Sequence, residues 1–200
     1  YMKPIVVLPL ILSFFLFFSC DKKTKIEKAF EEIPVQIKVN RFDKAFFETA
    51  PQDLPKLKQD YPFFFPAGND DSVWLEKMQH PQWRELYTEV EKLYANFDGK
   101  TAEIEDLFKH IKYYFPETKM PKVYTVISEM DYHNKVIYTK EMLIISLELY
   151  LGSKHRFYEF PAYITQNFES NQILPDITSS FAKTKVAPPN DLTFLSQMIY

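Results

Sequence analysis

The chain has 200 residues, of which 46% are hydrophobic, and a formal charge of −3 at pH 7, so it can form one domain with a sizeable core. Its three glycines are too far apart for a Gly-rich phosphate loop, and its charge gives no global attraction to nucleic acid. Its single cysteine excludes, within these residues, an intrachain disulfide and a zinc site built from several cysteines.

Residues 1–19 have the pattern of a bacterial lipoprotein signal peptide. Lys3 is followed by fifteen mostly apolar residues, which are too few for a comfortable membrane span, and then by Ser19 and Cys20. We therefore predict that Cys20 is lipidated after export, which anchors the protein in the cell envelope with its domain facing the periplasm. The alternative is an uncleaved membrane anchor with a chance cysteine, and the choice between inner and outer membrane stays open.

The mature chain is predicted to have two parts. Residues 20–33 form the lipidated N-terminus and a charged helical tether, and residues 34–200 form a single α+β domain. Alternation at Val35, Ile37 and Val39 predicts a strand. Short helical segments are then expected over 43–48, over 53–60 and from Ser72 onward. A helix over 191–200 ends without a terminating residue, which predicts that the domain is incomplete at its C-terminus.

The strongest helical signals lie in the middle of the chain and predict a helical hairpin. After Pro81, apolar residues recur with helical spacing in two runs, and Gly99 between the runs is predicted to supply the turn. The residues expected on the inner faces are Trp83, Leu86, Tyr87, Val90, Leu93, Tyr94, Phe97, Ile104, Leu107, Phe108, Ile111, Tyr114 and Phe115.

The sequence then becomes rich in β-branched residues. Segments 122–128, 135–139 and 142–149 read as three strands, which two hairpins would join into a small, mostly antiparallel sheet. Helices are expected at about 157–168, 172–185 and 191–200. The predicted fold class is therefore α+β, with the helical hairpin packed against this sheet and followed by helices.

Few residues in this pattern indicate chemistry. The four histidines are scattered, and the best local group of metal-ligand types is Glu129, Asp131 and His133, for which a solvated hairpin tip is the simpler interpretation. No catalytic residue, metal ligand or cofactor is predicted. Phe63, Phe64 and Phe65 form the best candidate for a partner-binding surface, since three consecutive rings cannot all face one core. The alternative is that at least two of these rings fill the core.

Several long sequence segments resemble those of one family, the gliding-motility lipoprotein GldB family. The resemblance implies a periplasm-facing lipoprotein that is required for cell movement over surfaces and is associated with a secretion machine of the envelope. It carries over no catalytic residues. The matching strings are RFDKAFFE from Arg41, YPFFFPAGNDDSVW from Tyr61, KYYFPETKMPKVYTVISEMDYHNKVIY from Lys112, SLELYLG from Ser146, FYEFPAYI from Phe157 and LSQMIY from Leu195.

A second, weaker likeness is to small zinc metallopeptidases of the H-E-x-x-H type. The helix Ile173 to Phe181 stands where the zinc helix would lie, but Pro175 and Ser179 replace the two histidines and Asp176 replaces the glutamate. This predicts a degenerate zincin-like scaffold without zinc ligands.

We therefore predict a non-catalytic structural or assembly role in the gliding apparatus. Its expected partners are the membrane, through the lipid, and other gliding or secretion proteins of the envelope. No nucleic acid and no small-molecule substrate are predicted. The alternative is an envelope hydrolase of peptidase type, whose catalytic residues would lie in the missing C-terminal part.

Overall fold

The computed structural model describes residues 24–186, which divide into two units after Pro34. The first unit contains helix α1 (Lys25–Glu31) at the place of the predicted tether helix. Thr24 begins this helix with a capping box, in which its hydroxyl accepts from the Glu27 N–H while the Glu27 carboxylate accepts from the Thr24 N–H. The predictions for residues 1–19, for Cys20 and for a helix over 191–200 lie outside the described residues.

The second unit, as described over residues 35–186, combines one four-stranded sheet with seven α-helices, so the α+β class is confirmed. Its strands are β1 (Val39–Arg41), β2 (Lys122–Val126), β3 (Val136–Tyr138) and β4 (Met142–Ser146). Its helices are α2 (Phe42–Glu48), α3 (Leu54–Asp60), α4 (Asp71–Gln79), α5 (Pro81–Tyr94), α6 (Asp98–Tyr114), α7 (Ala162–Thr165) and α8 (Ile173–Ala182).

The sheet is mixed and mostly parallel, so the prediction of a mostly antiparallel sheet is wrong. Its strand order is β1-β2-β4-β3, in which β2 pairs in parallel with both β1 and β4. The β3–β4 hairpin is present as predicted, but β2 and β3 are not neighbours. The strand predicted at Val35, Ile37 and Val39 is mostly not formed, since β1 begins only at Val39. The Ile37 N–H donates to the Glu105 carboxylate at 2.8 Å instead of to a neighbouring strand.

Burial explains this strand order. The side chains of Val123 on β2 and Leu143 and Ile145 on β4 are fully buried, so adjacent central positions suit these two strands. The three-residue β3 then lies at the edge. There the Ser180 hydroxyl of α8 accepts from the Tyr138 N–H at 3.1 Å and donates to the Val136 carbonyl at 3.3 Å. These two hydrogen bonds satisfy backbone groups of the edge strand.

The two helices of the predicted hairpin are present as α5 and α6. Three details of the prediction are wrong, two at the apolar faces and one at the turn. Leu93 and Tyr114 lie at the edges of the apolar stripes and are 56% and 64% exposed. Gly99 lies inside α6 and does not form the turn. The turn precedes it, where the Asn96 side chain accepts from the Asp98 N–H at 2.7 Å.

The helices after the sheet are shorter than predicted. The expected helix over 157–168 is reduced to the single turn of α7, because Pro161 precedes it and a proline is not tolerated inside a helix. Helix α8 lies within the predicted 172–185 range. The zincin-like scaffold stays a prediction. Within residues 24–186, none of the helices has the length and apolar character needed to cross a membrane.

Candidate functional site

The three predicted partner-binding rings have different environments. Phe63 is 59% exposed, Phe64 is half-buried and Phe65 is buried. The Phe64 ring stacks on Phe42 of α2 with 4.2 Å between ring centroids, and Phe65 packs edge-on against Trp74 of α4 at 5.0 Å. Two of the rings therefore belong to the packed interior, and only Phe63 offers most of its surface to a partner.

Phe63 borders an open cavity of about 550 Å³, which we call the aromatic cleft. The side chains that give the cleft its character are Tyr61, Phe63, Phe64, Tyr124, Lys119, Lys122, Lys140, Asp60 and Glu141. All three lysines are exposed, and among residues 24–186 none of them has a carboxylate within ion-pair distance. The cleft thus combines aromatic surface with unpaired positive charge.

A second polar site lies where two neighbouring parallel strands end. Ser128 follows β2 and Glu148 follows β4, at the edge where open α/β sheets bind ligands. Glu148 is fully buried, and its Oε1 accepts from the Ser128 N–H at 2.9 Å and from the Ser128 hydroxyl at 2.5 Å. Its Oε2 has no hydrogen-bond partner within the described part of the chain.

The environment of Glu148 makes it a proton-exchanging group near neutral pH. Burial raises the pKa of Glu148 to about 7, while the hydrogen bonds from Ser128 and the charge of Lys77 act in the opposite direction. The carboxyl can therefore gain or lose a proton under physiological conditions.

Replacing Glu148 with glutamine should flatten the pH dependence of stability. Between pH 4.5 and about 7 the folded protein holds a proton on Glu148 that the unfolded chain has lost. The contribution of this group to stability is therefore greatest below pH 4.5 and is lost as the pH rises through 7. Urea unfolding measures the free energy of unfolding of Glu148→Gln minus that of the unsubstituted protein. This difference should be about 2 kcal/mol more favourable to the variant at pH 8 than at pH 5. An equal difference at both pH values would contradict this assignment.

The segment after Ser128 lines another cavity, of about 410 Å³, which we call the Trp83 cleft. It is lined by Gln82, Trp83, Leu86, Glu129, Met130 and Phe157. Met130 has a φ of +56°, a conformation that costs free energy in a residue other than glycine and is often found at functional sites. The ammonium of Lys77 lies 4.2 Å from the centroid of the Trp83 ring and 3.7 Å from the Glu129 carboxylate.

The other residues that the sequence analysis weighed as ligands form hydrogen bonds and ion pairs within the protein. Asp131 accepts from the His133 N–H at 3.1 Å and from the Asn134 side chain at 2.7 Å, and thereby caps the 3₁₀ turn Tyr132–Asn134. This segment connects β2 to β3, which do not pair, so it is not the hairpin tip expected from the sequence. On α8, Asp176 accepts from the Tyr150 hydroxyl at 2.7 Å and pairs with Lys135 at 2.6 Å. Over residues 24–186, no group of three or more His, Cys, Asp or Glu side chains is arranged to hold a metal.

Sequence reasoning missed Glu148, Ser128 and Lys77. One signal was present, because Glu148 is the only charged residue of the mostly apolar segment MLIISLEL, and such a position predicts a buried carboxylate. The contacts of Ser128 and Lys77 depend on the parallel pairing of β2 and β4 and on the packing of α4, which no local pattern encodes.

Comparison with known proteins identifies the family. The model of one family, described as gliding motility protein GldB, matches residues 23–200. Searches of the curated proteins and of the solved structures found no match. The matched range holds every string on which the resemblance was based, and it covers most of the sequence. The chain therefore belongs to the GldB family of gliding motility lipoproteins.

Proposed function

We propose that this protein is a non-catalytic assembly component of the gliding machinery, anchored in the cell envelope by lipid on Cys20 and facing the periplasm. Membership of the GldB family supports the link to motility and to lipidation. We further propose that it docks another protein of the machinery at the aromatic cleft. The observation that carries this proposal is the 59% exposure of the Phe63 ring.

The packing beneath Phe63 makes this ring a suitable anchor. The Phe63 ring packs edge-on against the Phe64 ring, with 5.5 Å between the ring centroids. The centroid of the Phe64 ring lies in turn 4.2 Å from that of Phe42 and 5.3 Å from that of Tyr124 on β2. The exposed ring therefore stands on a platform tied to both helix and sheet. Aromatic side chains held in this way contribute strongly to protein interfaces, because little conformational entropy is lost on binding.

Charge supports a protein partner at the same place. Lys119, Lys122 and Lys140 outnumber Asp60 and Glu141 in the cleft, whereas the chain as a whole is acidic. A partner with apolar and acidic side chains would therefore find complementary groups here.

Replacing Phe63 with alanine should abolish movement over surfaces while leaving the melting temperature within about 2 °C of the unsubstituted value, because an exposed ring contributes little to the core. Motility of cells and melting of the purified protein give the two readouts. Tyr163→Ala is the matched control, since Tyr163 is 72% exposed on α7 and should be replaceable without effect. Normal movement of cells that contain Phe63→Ala at normal abundance would remove the aromatic cleft from this proposal.

A further inference from the structure

The Trp83 cleft has features of a binding site that the docking proposal does not use. Its wall from Glu129 to Met130 directly follows Ser128, whose two hydrogen bonds to the buried Glu148 hold the start of this segment. The segment continues into the strained backbone of Met130. The opposite wall includes Trp83 and Leu86 of α5. A strained residue and a mostly apolar cavity therefore follow directly after Ser128, while Glu148 holds Ser128 from outside the cavity.

The contacts of Lys77 indicate which kind of chemical group the Trp83 cleft can bind. Its ammonium lies over the Trp83 ring at 4.2 Å, within the range of a cation–π interaction, and 3.7 Å from Glu129. An aromatic face and the Glu129 carboxylate thus lie on either side of a single ammonium group.

The pairing of Lys77 with Glu129 is loose. The two charged groups lie 3.7 Å apart and the Glu129 side chain is 82% exposed, so this carboxylate is accessible to a ligand. Arg156 lies next to the lining residue Phe157, with its guanidinium 4.5 Å from the centroid of the Phe157 ring. This guanidinium is already paired with Glu85 at 2.6 Å and with Glu89 at 3.2 Å. Lys77 is therefore the cation that a ligand ammonium would displace, and Glu129 is the carboxylate of the cleft that would then pair with the ligand.

We propose that the Trp83 cleft binds a primary ammonium group carried on an apolar stem, and that Lys77 holds the ammonium position of this ligand in the present structure. The apolar stem would lie against Leu86, Met130 and Phe157, and the ligand ammonium would displace that of Lys77 from the Trp83 ring. A volume of about 410 Å³ suits a small amine or one long side chain.

Fluorescence of Trp83 provides the test. The chain has two tryptophans, so Trp74→Phe leaves Trp83 as the only reporter. The probe is n-hexylammonium, with 1-hexanol and hexanoate as neutral and anionic molecules of the same length. We expect a saturable change in fluorescence with hexylammonium, and at least ten-fold weaker binding of the other two. Equal binding of hexanol would overturn the proposal, because it would show that only apolar contact matters.

Variants of Lys77 make the test specific. Lys77→Met removes the competing ammonium but keeps an apolar side chain, so it should tighten hexylammonium binding about ten-fold. Unchanged or weaker binding would contradict the displacement of Lys77. Lys77→Gln, compared at an unchanged melting temperature, repeats the measurement if the methionine variant is unstable. Glu129→Gln should weaken binding of hexylammonium but not of hexanol.

The same assay separates two sources of the ligand. N-acetyl-Leu-Lys-Leu amide presents a lysine side chain within a polypeptide, and hexylammonium presents a free amine. Tighter binding of the peptide would support a polypeptide ligand, and tighter binding of hexylammonium would support a free amine. The failure of both to bind would overturn the proposal while leaving the docking role of Phe63 untouched.

Discussion

Replacing Phe108 with alanine should lower the free energy of unfolding by about 3–5 kcal/mol, because the substitution leaves a large cavity in a closed core. The Phe108 side chain is fully buried on α6, and its ring lies 6.3 Å from that of Tyr138 on β3. It therefore joins α6 to the sheet. Urea unfolding of the purified protein measures the loss.

The matched control lies on the same helix. Tyr114 carries an aromatic ring of similar size but is 64% exposed, so Tyr114→Ala should change the free energy of unfolding by less than about 1 kcal/mol. Equal losses from the two substitutions would mean that the buried face of α6 is wrongly assigned.

Replacing Cys20 with alanine should abolish lipidation altogether, because the sequence contains no other thiol that could accept a lipid. Labelled palmitate should then fail to enter the protein, and the precursor should remain uncleaved. Because each buried CH₂ of an acyl chain contributes about 0.8 kcal/mol to membrane binding, the substitution removes the proposed anchor. Ser19→Ala keeps a small residue before the cysteine and should be labelled normally. Incorporation of label into Cys20→Ala would exclude this cysteine as the lipid acceptor.

The helical parts of the fold could be predicted because their signals are local. Leu86, Val90 and Phe108 recur at helical spacing and are buried as expected. Pro81 begins α5 at the position that suits a proline. The prediction that Leu93 and Tyr114 are buried was wrong. Residues at the edge of an apolar stripe can face either the core or the solvent, and the extent of the neighbouring elements that pack on the helix decides which.

The sheet could not be predicted to the same extent, because strand pairing depends on residues that are far apart in the chain. Val136–Tyr138 lies between β2 and β4 in sequence, which favours two hairpins, yet the central positions go to the two strands with the most buried side chains. The contact between Ser128 and Glu148 follows from that pairing and spans 20 residues. It was therefore hidden from any local pattern.

The candidate surface was predicted as a group but not residue by residue. Three adjacent rings indicated a surface that a core could not fully absorb, and the structure places the middle ring, Phe64, against Phe42. Only Phe63 is left largely exposed, because the 3₁₀ turn Pro62–Phe64 directs successive side chains to different sides. A test of docking therefore belongs at Phe63 and not at Phe64.

The most direct test of the docking role is photo-crosslinking in moving cells. Benzoylphenylalanine at position 63 places a reactive ring at the proposed anchor, and the same residue at position 163, which is more exposed, provides the control. The account predicts a discrete adduct between position 63 and another protein of the gliding or secretion machinery, identified by mass spectrometry and lost when Lys119, Lys122 and Lys140 are all changed to glutamate. The absence of an adduct at position 63, or the same adduct from position 163, would contradict it.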